Sequence, residues 1–297
     1  MTRSPMTTLA LPSAQLHALT WGTSRPDAPV ALLLHGFPDI PLSWEPVALR
    51  LAERGLRVVA PYLPGYHPSP APRSGDLLEI TDRVLEACRV LSPDRPLYLV
   101  GHDFGAVVTY ALTARAPSRF RACSAMSVPH IRAFLVNGLT SPAQLRRSWY
   151  MGFFQLVPLA NAVVPRDDYA FIKRLWRVWS PGYTLPEAHF DELRACFDAS
   201  MPQPLAWYRP QSGVTGASLR DLPGVLRLLS TPIRVPTLYL HGEDDGCIGP
   251  AMMRGQRRFF ASDFSEDVVS SAGHFLQLEQ PARVSARLLE FFGRYPL

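Results

Sequence analysis

The stretch from Leu97 to Leu112 reads LYLVGHDFGAVVTYAL, and it indicates the architecture of the whole chain. Its first four residues are apolar and favour extended structure, which predicts a buried strand over Leu97–Val100. A helix-favouring run follows over Ala106–Ala116 and ends at Pro117. The spacing Gly-x-Asp-x-Gly between the two predicts a sharp turn from strand into helix that exposes the side chain of Asp103.

An exposed aspartate in such a turn indicates a nucleophile. Because aspartate is already ionised at neutral pH, Asp103 needs no base before it attacks an electrophilic sp³ carbon and forms an alkyl ester. The alternative is a chance pair of glycines beside a helix-capping aspartate, which a motif this short allows. Motifs elsewhere in the chain distinguish a nucleophile from a capping residue at this position.

The composition is typical of a protein with one large domain, or a core with an insertion. The chain has 297 residues, of which 47% are apolar. No apolar run approaches the roughly 20 residues of a membrane-spanning helix, and no signal peptide is evident before Pro12. We therefore expect a cytoplasmic protein. The four cysteines lack Cys-x-x-Cys spacing, which indicates neither a disulfide framework nor a zinc site.

The formal charge of +5 comes almost wholly from arginine, since Lys173 is the only lysine among 30 basic residues. The short arginine clusters are flanked by acidic or apolar residues, and no long basic run occurs. These clusters indicate solvated helix faces. We expect no nucleic-acid or membrane partner, and either a monomer or a homodimer.

Strands and helices alternate in the first half of the chain. The predicted elements are a hairpin over residues 7–22, a strand over Val30–Leu34, a helix over Pro41–Gly55, a strand over Leu56–Ala60 and a helix over Leu77–Leu91. This repetition predicts a mostly parallel sheet with helices on both faces, whose ligands bind beyond the carboxyl ends of the strands. The Asp103 turn and the segment His35-Gly36-Phe37-Pro38 both follow such strand ends.

These motifs together resemble the α/β-hydrolase fold, and within it the epoxide hydrolase and haloalkane dehalogenase branch that uses an aspartate nucleophile. The resemblance covers nearly the whole chain. It implies an eight-stranded, mostly parallel sheet flanked by helices, with an inserted helical lid. It also implies a cis bond at Phe37–Pro38 and an oxyanion hole formed by the N–H groups of Phe37 and Phe104. The alternative is that Phe37–Pro38 only shapes a turn and contributes nothing to an oxyanion hole.

The alternation stops after a predicted strand over Phe120–Val128. Residues 130–232 are helical in pattern and rich in proline and tryptophan, which predicts a lid domain, with residues 1–129 and 233–297 forming the core domain.

Two lid segments resemble the lid-tyrosine segments of epoxide hydrolases and contain Tyr150 and Tyr208. Paired phenols suit an epoxide, because the oxygen of an opening ring needs a proton. Ordinary amphipathic lid residues are the alternative. The other expected pocket residues are Pro38, Trp149, Phe153, Phe154 and Trp207.

The last part of the chain supplies the other two members of a triad. An apolar strand is predicted over Val235–Leu240, and a further strand over Val268–Ser271 closes the sheet. The resemblance implies that Asp245, rather than the adjacent Asp244, is the catalytic acid, and that His274 is the base. Nucleophile, acid and histidine then occur in the chain order expected for this fold.

The sequence thus predicts hydrolysis of a small hydrophobic epoxide to a vicinal diol, with water as the second substrate and no metal or organic cofactor. A haloalkane or haloacid dehalogenase with the same nucleophile is the main alternative. However, Phe104 stands where the resemblance places tryptophan in haloalkane dehalogenases and arginine in fluoroacetate dehalogenases. A non-catalytic binding protein of the same fold is the other alternative, and the presence of a complete triad argues against it.

Overall fold

The computed structural model describes residues 6–296, apart from 24, 26, 75, 210–222, 225 and 229. Eight strands form one sheet: β1 (Thr7–Ala10), β2 (Gln15–Trp21), β3 (Val30–Leu34), β4 (Arg57–Pro61), β5 (Leu97–His102), β6 (Phe120–Met126), β7 (Thr237–Gly242) and β8 (Phe264–Val269). Their spatial order is β1-β2-β4-β3-β5-β6-β7-β8. The strand pairs from β4 to β8 are all parallel, whereas β2 pairs antiparallel with both β1 and β4. The predicted fold class is therefore confirmed.

The central strands are buried because helices cover both faces of the sheet, as a parallel sheet requires. Every residue of β3 and β5 is buried. The helices in the first half of the chain are α1 (Glu45–Glu53), α2 (Leu77–Leu91) and α3 (Phe104–Arg115). Helix α2 begins where the Asp76 carboxylate accepts a hydrogen bond of 2.8 Å from the N–H of Glu79. Helix α3 is apolar on nearly all sides, which explains its central position behind the β5–α3 turn.

The closing strand differs from the sequence-based prediction. We expected it over Val268–Ser271, but β8 runs over Phe264–Val269 and pairs in parallel with β7. That prediction was wrong because β8 is an edge strand in which the three residues after Phe264 are polar and at least partly exposed. The apolar pair Val268 and Val269 therefore marks only the end of β8.

Helices occupy the chain between β6 and β7. They include α4 (Ile131–Leu139), α5 (Pro142–Arg147), α6 (Trp149–Phe153), α7 (Val157–Val163), α8 (Arg166–Trp179), α9 (Glu187–Ser200) and α10 (Gln203–Ala206). The indole N–H groups of Trp176 and Trp207 donate hydrogen bonds of 2.9 and 3.0 Å to the carbonyls of Pro38 and Pro64, which follow β3 and β4. These helices therefore pack over the carboxyl ends of the strands. We keep the name lid for residues 130–232, whose division from the core remains a prediction.

Two helices end the chain, α11 (Leu276–Glu279) and α12 (Pro281–Gly293), and α12 packs against α1. Within the part of the chain that the structure describes, no helix has the length and apolar character needed to span a membrane.

Candidate active site

Asp103 lies in the turn between β5 and α3, as its motif predicted. Its backbone angles are φ 52° and ψ −118°, a conformation that non-glycine residues rarely adopt. The turn is tight enough that a Cβ atom on Gly101 would lie 2.1 Å from the carbonyl oxygen of Gly105. Only glycine at position 101 permits this approach, and Asp103 is thereby held at the N-terminus of α3.

The loop after β3 brings an N–H group to one oxygen of the Asp103 carboxylate. The Phe37 N–H donates a hydrogen bond of 2.8 Å to Oδ1 of Asp103. A Cβ on Gly36 would lie 2.4 Å from that oxygen and 2.7 Å from the N atom of Phe104, so a side chain there would fill this space. The Phe37–Pro38 bond is cis, as the resemblance implied. The structure thus brings Phe37, Phe104 and Asp103 together.

His274 lies between two carboxylates. Its Nε2 atom is 3.3 Å from Oδ2 of Asp103, and its Nδ1 atom is 2.9 Å from Oδ2 of Asp245. Asp245 is buried, whereas Asp244 is exposed. The N–H groups of Cys247 and Ile248 donate hydrogen bonds of 2.7 and 2.8 Å to the other oxygen of Asp245. The carboxylate is thereby oriented toward the imidazole.

The charges of this group shift the pKa values of His274 and Asp245. Burial alone would lower the pKa of His274, but the carboxylates of Asp245 and Asp103 raise it to about 10. Burial likewise opposes ionisation of Asp245, and yet the adjacent His274 lowers the pKa of that carboxyl below its usual value. At neutral pH the imidazolium of His274 therefore pairs with the carboxylate of Asp245.

Two further histidines hold loops of the site. The Nε2 atom of His35 accepts a hydrogen bond of 3.1 Å from the N–H of Leu63, and the Nε2 atom of His102 lies 2.8 Å from the carbonyl oxygen of His274. Burial lowers the pKa of His35 to about 4 and that of His102 to about 3. Both rings are therefore neutral near pH 7. They fix the loop after β3 and the loop that carries His274.

One carboxylate beside the triad, Asp39, carries no distinct sequence signal beyond its place after the His-Gly-Phe-Pro turn. It is fully buried and accepts hydrogen bonds from the Ile40 N–H and the Ser43 hydroxyl. Burial raises its pKa to about 7, the hydrogen bonds oppose this shift, and the charge of Asp103 adds to it. Its charge state therefore changes near neutral pH, within the field of Asp103 and His274.

A cavity of about 200 Å³ lies beside Asp103. The lid tyrosines Tyr150 and Tyr208 both line it, and their ring centroids are 5.8 Å apart. The rest of its described lining is apolar: Leu77, Phe104, Val107, Val128, Ile131, Phe134, Leu135, Met151 and Ile248. Burial raises the pKa of both phenols well above 10, and the nearby charge of Asp103 adds to this shift. Both hydroxyls are therefore protonated at neutral pH.

The other residues expected in the pocket lie around this cavity rather than in its described lining. Phe154 is buried with its ring centroid 5.2 Å from that of Tyr208, and the ring of Trp207 packs 4.6 Å from that of Phe104. Phe153 stacks on Phe171. The Pro38 carbonyl accepts the hydrogen bond from Trp176.

Trp149 differs most from its expected place. Its side chain is 47% exposed and contacts the rings of Phe153 and Phe171 in the lid. Successive residues of a helix point in different directions, and Tyr150 is the one that faces the cavity. The structure therefore does not bring Trp149 to Asp103.

Among the residues that the structure describes, one set of side chains here has donor atoms close enough together to bind a metal ion. Ligand atoms of Asp245, Cys247 and His274 lie within 4.8 Å of one another, and all three residues are buried. However, the Asp245 and His274 atoms already bond to each other, and the Cys247 sulfur lies 3.5 Å from the Tyr150 hydroxyl. The donors are thus engaged within the protein.

Comparisons with known proteins agree with this architecture. A family model described as the alpha/beta hydrolase fold matches residues 29–281. The chain is 29% identical over 283 residues to epoxide hydrolase 3 of Xenopus tropicalis, an alignment that covers 93% of this chain and 74% of that protein. It is 28% identical over 306 residues to epoxide hydrolase A of Mycobacterium tuberculosis (strain ATCC 25618 / H37Rv), with 90% and 91% covered.

Solved structures show the same fold. The crystal structure of epoxide hydrolase A from Mycobacterium thermoresistibile matches with a TM-score of 0.82, covers 100% of both chains and is 23% identical in sequence. The resemblance to the α/β-hydrolase fold that the motifs indicated is thereby confirmed. The names of these relatives support the epoxide hydrolase branch within it.

Proposed function

Because the chain belongs to the α/β-hydrolase fold family, we propose that it hydrolyses an epoxide to a vicinal diol through a covalent ester on Asp103. One observation carries the proposal most strongly. The two oxygens of the Asp103 carboxylate have different surroundings: Oδ1 accepts from the Phe37 N–H, and Oδ2 lies beside His274. The cavity in front of this carboxylate is lined by two phenols, which are the donors that an opening epoxide needs.

In the first step, Oδ2 of Asp103 attacks one ring carbon and the bond from that carbon to the epoxide oxygen breaks. The oxygen leaves as an alkoxide, which takes a proton from Tyr150 or Tyr208. Both phenols are protonated at neutral pH because burial and the charge of Asp103 raise their pKa values. They remain more acidic than an alkoxide, so the transfer is favourable. The product is a hydroxyalkyl ester on Asp103.

In the second step, His274 removes a proton from water, and the water oxygen attacks Cγ of the ester. Ester formation removes the negative charge of Asp103, which is one of the charges that raise the pKa of His274. The pKa of His274 therefore falls, and the imidazolium proton passes to the phenolate that the first step left on Tyr150 or Tyr208, so that the neutral imidazole can act as a base. The charge that develops on Oδ1 is stabilised by the N–H groups of Phe37 and Phe104. The bond from Cγ to Oδ2 then breaks, Oδ2 takes the proton of the newly formed carboxyl group, and the diol leaves with Asp103 again a carboxylate and His274 again protonated.

No observation favours a dehalogenase over an epoxide hydrolase. A leaving halide would need donors such as an indole N–H or a guanidinium, and the described lining of the cavity contains neither. Phe104 packs against Trp207, whose indole N–H is engaged by the Pro64 carbonyl. A non-catalytic binding protein would not need the close contact between Asp103, His274 and Asp245.

A panel of substrates tests the proposal. Styrene oxide, a long aliphatic epoxide, a haloalkane and a p-nitrophenyl ester would be offered to the purified protein, with product formation followed by chromatography. We expect a diol from at least one epoxide and no halide release. Halide release without diol formation would support the dehalogenase instead, and binding without turnover would support the non-catalytic protein.

A further inference from the structure

The acid loop, defined as residues 243–249, is held from outside by helix α5 of the lid. Gln144 on this helix is 3% exposed and spans two backbone groups of the loop. Its Nε2 group donates a hydrogen bond of 3.0 Å to the carbonyl of Cys247, and its Oε1 atom accepts one of 3.0 Å from the N–H of Gly249. The buried amide thereby satisfies its own donor and acceptor and pairs one carbonyl and one N–H group of the loop.

Arg147 adds a third bond to the acid loop, one turn further along α5. Its Nη1 group donates a hydrogen bond of 3.0 Å to the backbone carbonyl of Asp245. A Cβ on Gly249 would lie 2.7 Å from this nitrogen, so the loop approaches the guanidinium as closely as a glycine allows. The backbone that carries the catalytic acid is thus bonded to the lid on both sides of residue 246.

The same part of the lid places Tyr150. The Nε2 group of Gln144 also donates a hydrogen bond of 3.0 Å to the hydroxyl of Ser148, directly before α6. Two residues later the hydroxyl of Tyr150 lies 3.5 Å from the sulfur of Cys247. Cys247 in turn gives its N–H to the carboxylate of Asp245. One short stretch of lid therefore contacts both the loop of the acid and the phenol of the first step.

We propose that Gln144 and Arg147 are positioning residues that hold Asp245 and Tyr150 in one fixed relation to Asp103, so that both chemical steps depend on helix α5. This inference rests on the proposed epoxide hydrolysis and adds two residues to it. Neither residue touches the substrate. Gln144 acts through the backbone of the acid loop, and Arg147 acts through the carbonyl of Asp245 itself.

The consequence for His274 follows from electrostatics. Asp245 raises the pKa of the imidazole, and a carboxylate that is free to turn away raises it less. The other titratable groups whose charges act on or near His274 are Asp39, His102, Asp103 and His241. None of their side chains bonds to Gln144 or to Arg147 among the contacts of the described residues. Burial lowers the pKa of His241, and the charge of Arg147 itself lowers it further. Loss of the uncharged Gln144 side chain should therefore change the influence of Asp245 selectively.

The test compares Gln144→Leu and Arg147→Met with Arg146→Met, a matched control at an exposed position of the same helix. Rapid-quench kinetics on an epoxide that the wild-type protein turns over would give separate rate constants for ester formation and ester hydrolysis. We expect Gln144→Leu to lower both by about ten-fold or more, and Arg147→Met to lower mainly hydrolysis. Arg146→Met should match the wild type. The amount of ester formed in the burst corrects for any fraction of misfolded protein.

The pH profile distinguishes positioning from a merely structural role. The acid limb of the hydrolysis rate should move to lower pH by about one unit in Gln144→Leu, because His274 loses part of the field of Asp245. Arg147→Met also removes a positive charge, so the readout for that variant is the rate constant of ester hydrolysis. An unchanged acid limb in Gln144→Leu would overturn the inference, and unchanged rate constants in Arg147→Met would overturn it even if Gln144→Leu fails to fold. If the wild-type protein turned over no epoxide, the proposed function would fail instead.

Discussion

The proposed nucleophile and its proposed base are held by different regions of the molecule. Asp103 is placed mainly by the sheet core, through the β5–α3 turn and the N–H of Phe37. By contrast, the lid bonds directly to the segments that carry the other two members of the proposed triad. The carbonyl of Trp179 at the end of α8 accepts hydrogen bonds of 3.0 Å from the N–H of His274 and 3.0 Å from the N–H of Gly246, next to the acid.

Further contacts of the lid follow the same pattern. The Ser180 hydroxyl accepts a hydrogen bond of 3.1 Å from the N–H of Phe275, directly after the histidine. A Cβ on Gly246 would lie 1.9 Å from the carbonyl oxygen of Val178, so lid and acid loop are in close contact. Ester formation should therefore depend on the core for its nucleophile, whereas ester hydrolysis should depend on the lid for its base.

Removing the base gives the largest expected effect. His274→Gln leaves the Asp103 turn unchanged but takes away the group that activates water, so hydrolysis of the ester should fall by about 10³-fold or more. Ester formation should change far less. Mass spectrometry of the peptide that contains Asp103 should then show an adduct of substrate mass. Equal slowing of both steps would break the distinction between the two regions.

The lid tyrosines should affect the opposite step. Tyr208→Phe and Tyr150→Phe remove a proton donor, and each should slow ester formation by about ten-fold or more, within the usual contribution of a general acid. Hydrolysis of an ester already formed should stay near the wild-type rate. Tyr295→Phe, a change far from the cavity, serves as the control. Wild-type turnover by the double variant of Tyr150 and Tyr208 would remove the main support for epoxide opening.

The close contact between acid loop and lid predicts a difference in stability. Gly246→Ala inserts a methyl group against the Val178 carbonyl, and we expect a loss of about 1–3 kcal/mol in the free energy of unfolding. Gly182→Ala is a matched control, because a Cβ there meets no atom within 4 Å. Denaturant titration measures both. A similar small change in the two variants would show that the contact tolerates displacement.

The smallest expected effect concerns pH. Burial lowers the pKa of the lid residue His189 to about 4, below the value near 6.5 of an unfolded histidine. Unfolding therefore takes up a proton below pH 6.5, and the native state should lose stability as the pH falls from 7 to 5. His189→Gln should remove about 1 kcal/mol of this loss. Asp39 and His274 contribute equally to the free energy of unfolding of variant and wild type, so their contributions cancel in the difference. If the free energy of unfolding of both proteins changed with pH at the same slope, His189 would not be neutral in the native state as expected.

The parts of the site that local motifs encode were predictable from the sequence. Glycines or a proline that fix a turn lie within a few residues of Asp103, of Phe37 and of His274. The local sequence therefore determines the backbone geometry at these three positions. The acid loop posed a choice between two adjacent aspartates, and burial and the hydrogen bond to His274 favour Asp245.

The remaining features depend on contacts between distant parts of the chain. Gln144 and Cys247 meet across the lid and the core, and neither carries a recognisable motif. Trp149 was expected in the pocket beside Tyr150, but helix geometry turns its side chain outward. The strand β8 was misplaced because an edge strand needs no apolar pattern. Such features become visible only when packing brings the elements together.

The covalent role of Asp103 is tested most directly by one turnover in ¹⁸O-labelled water with enzyme in excess over epoxide. If Oδ2 attacks the ring carbon, the diol receives an unlabelled oxygen from Asp103, and the label enters the carboxylate when water attacks Cγ. Mass spectrometry of the diol and of the Asp103 peptide measures both. We predict an unlabelled diol and a labelled peptide. A labelled diol with an unlabelled peptide would show that Asp103 activates water instead, and would contradict the account.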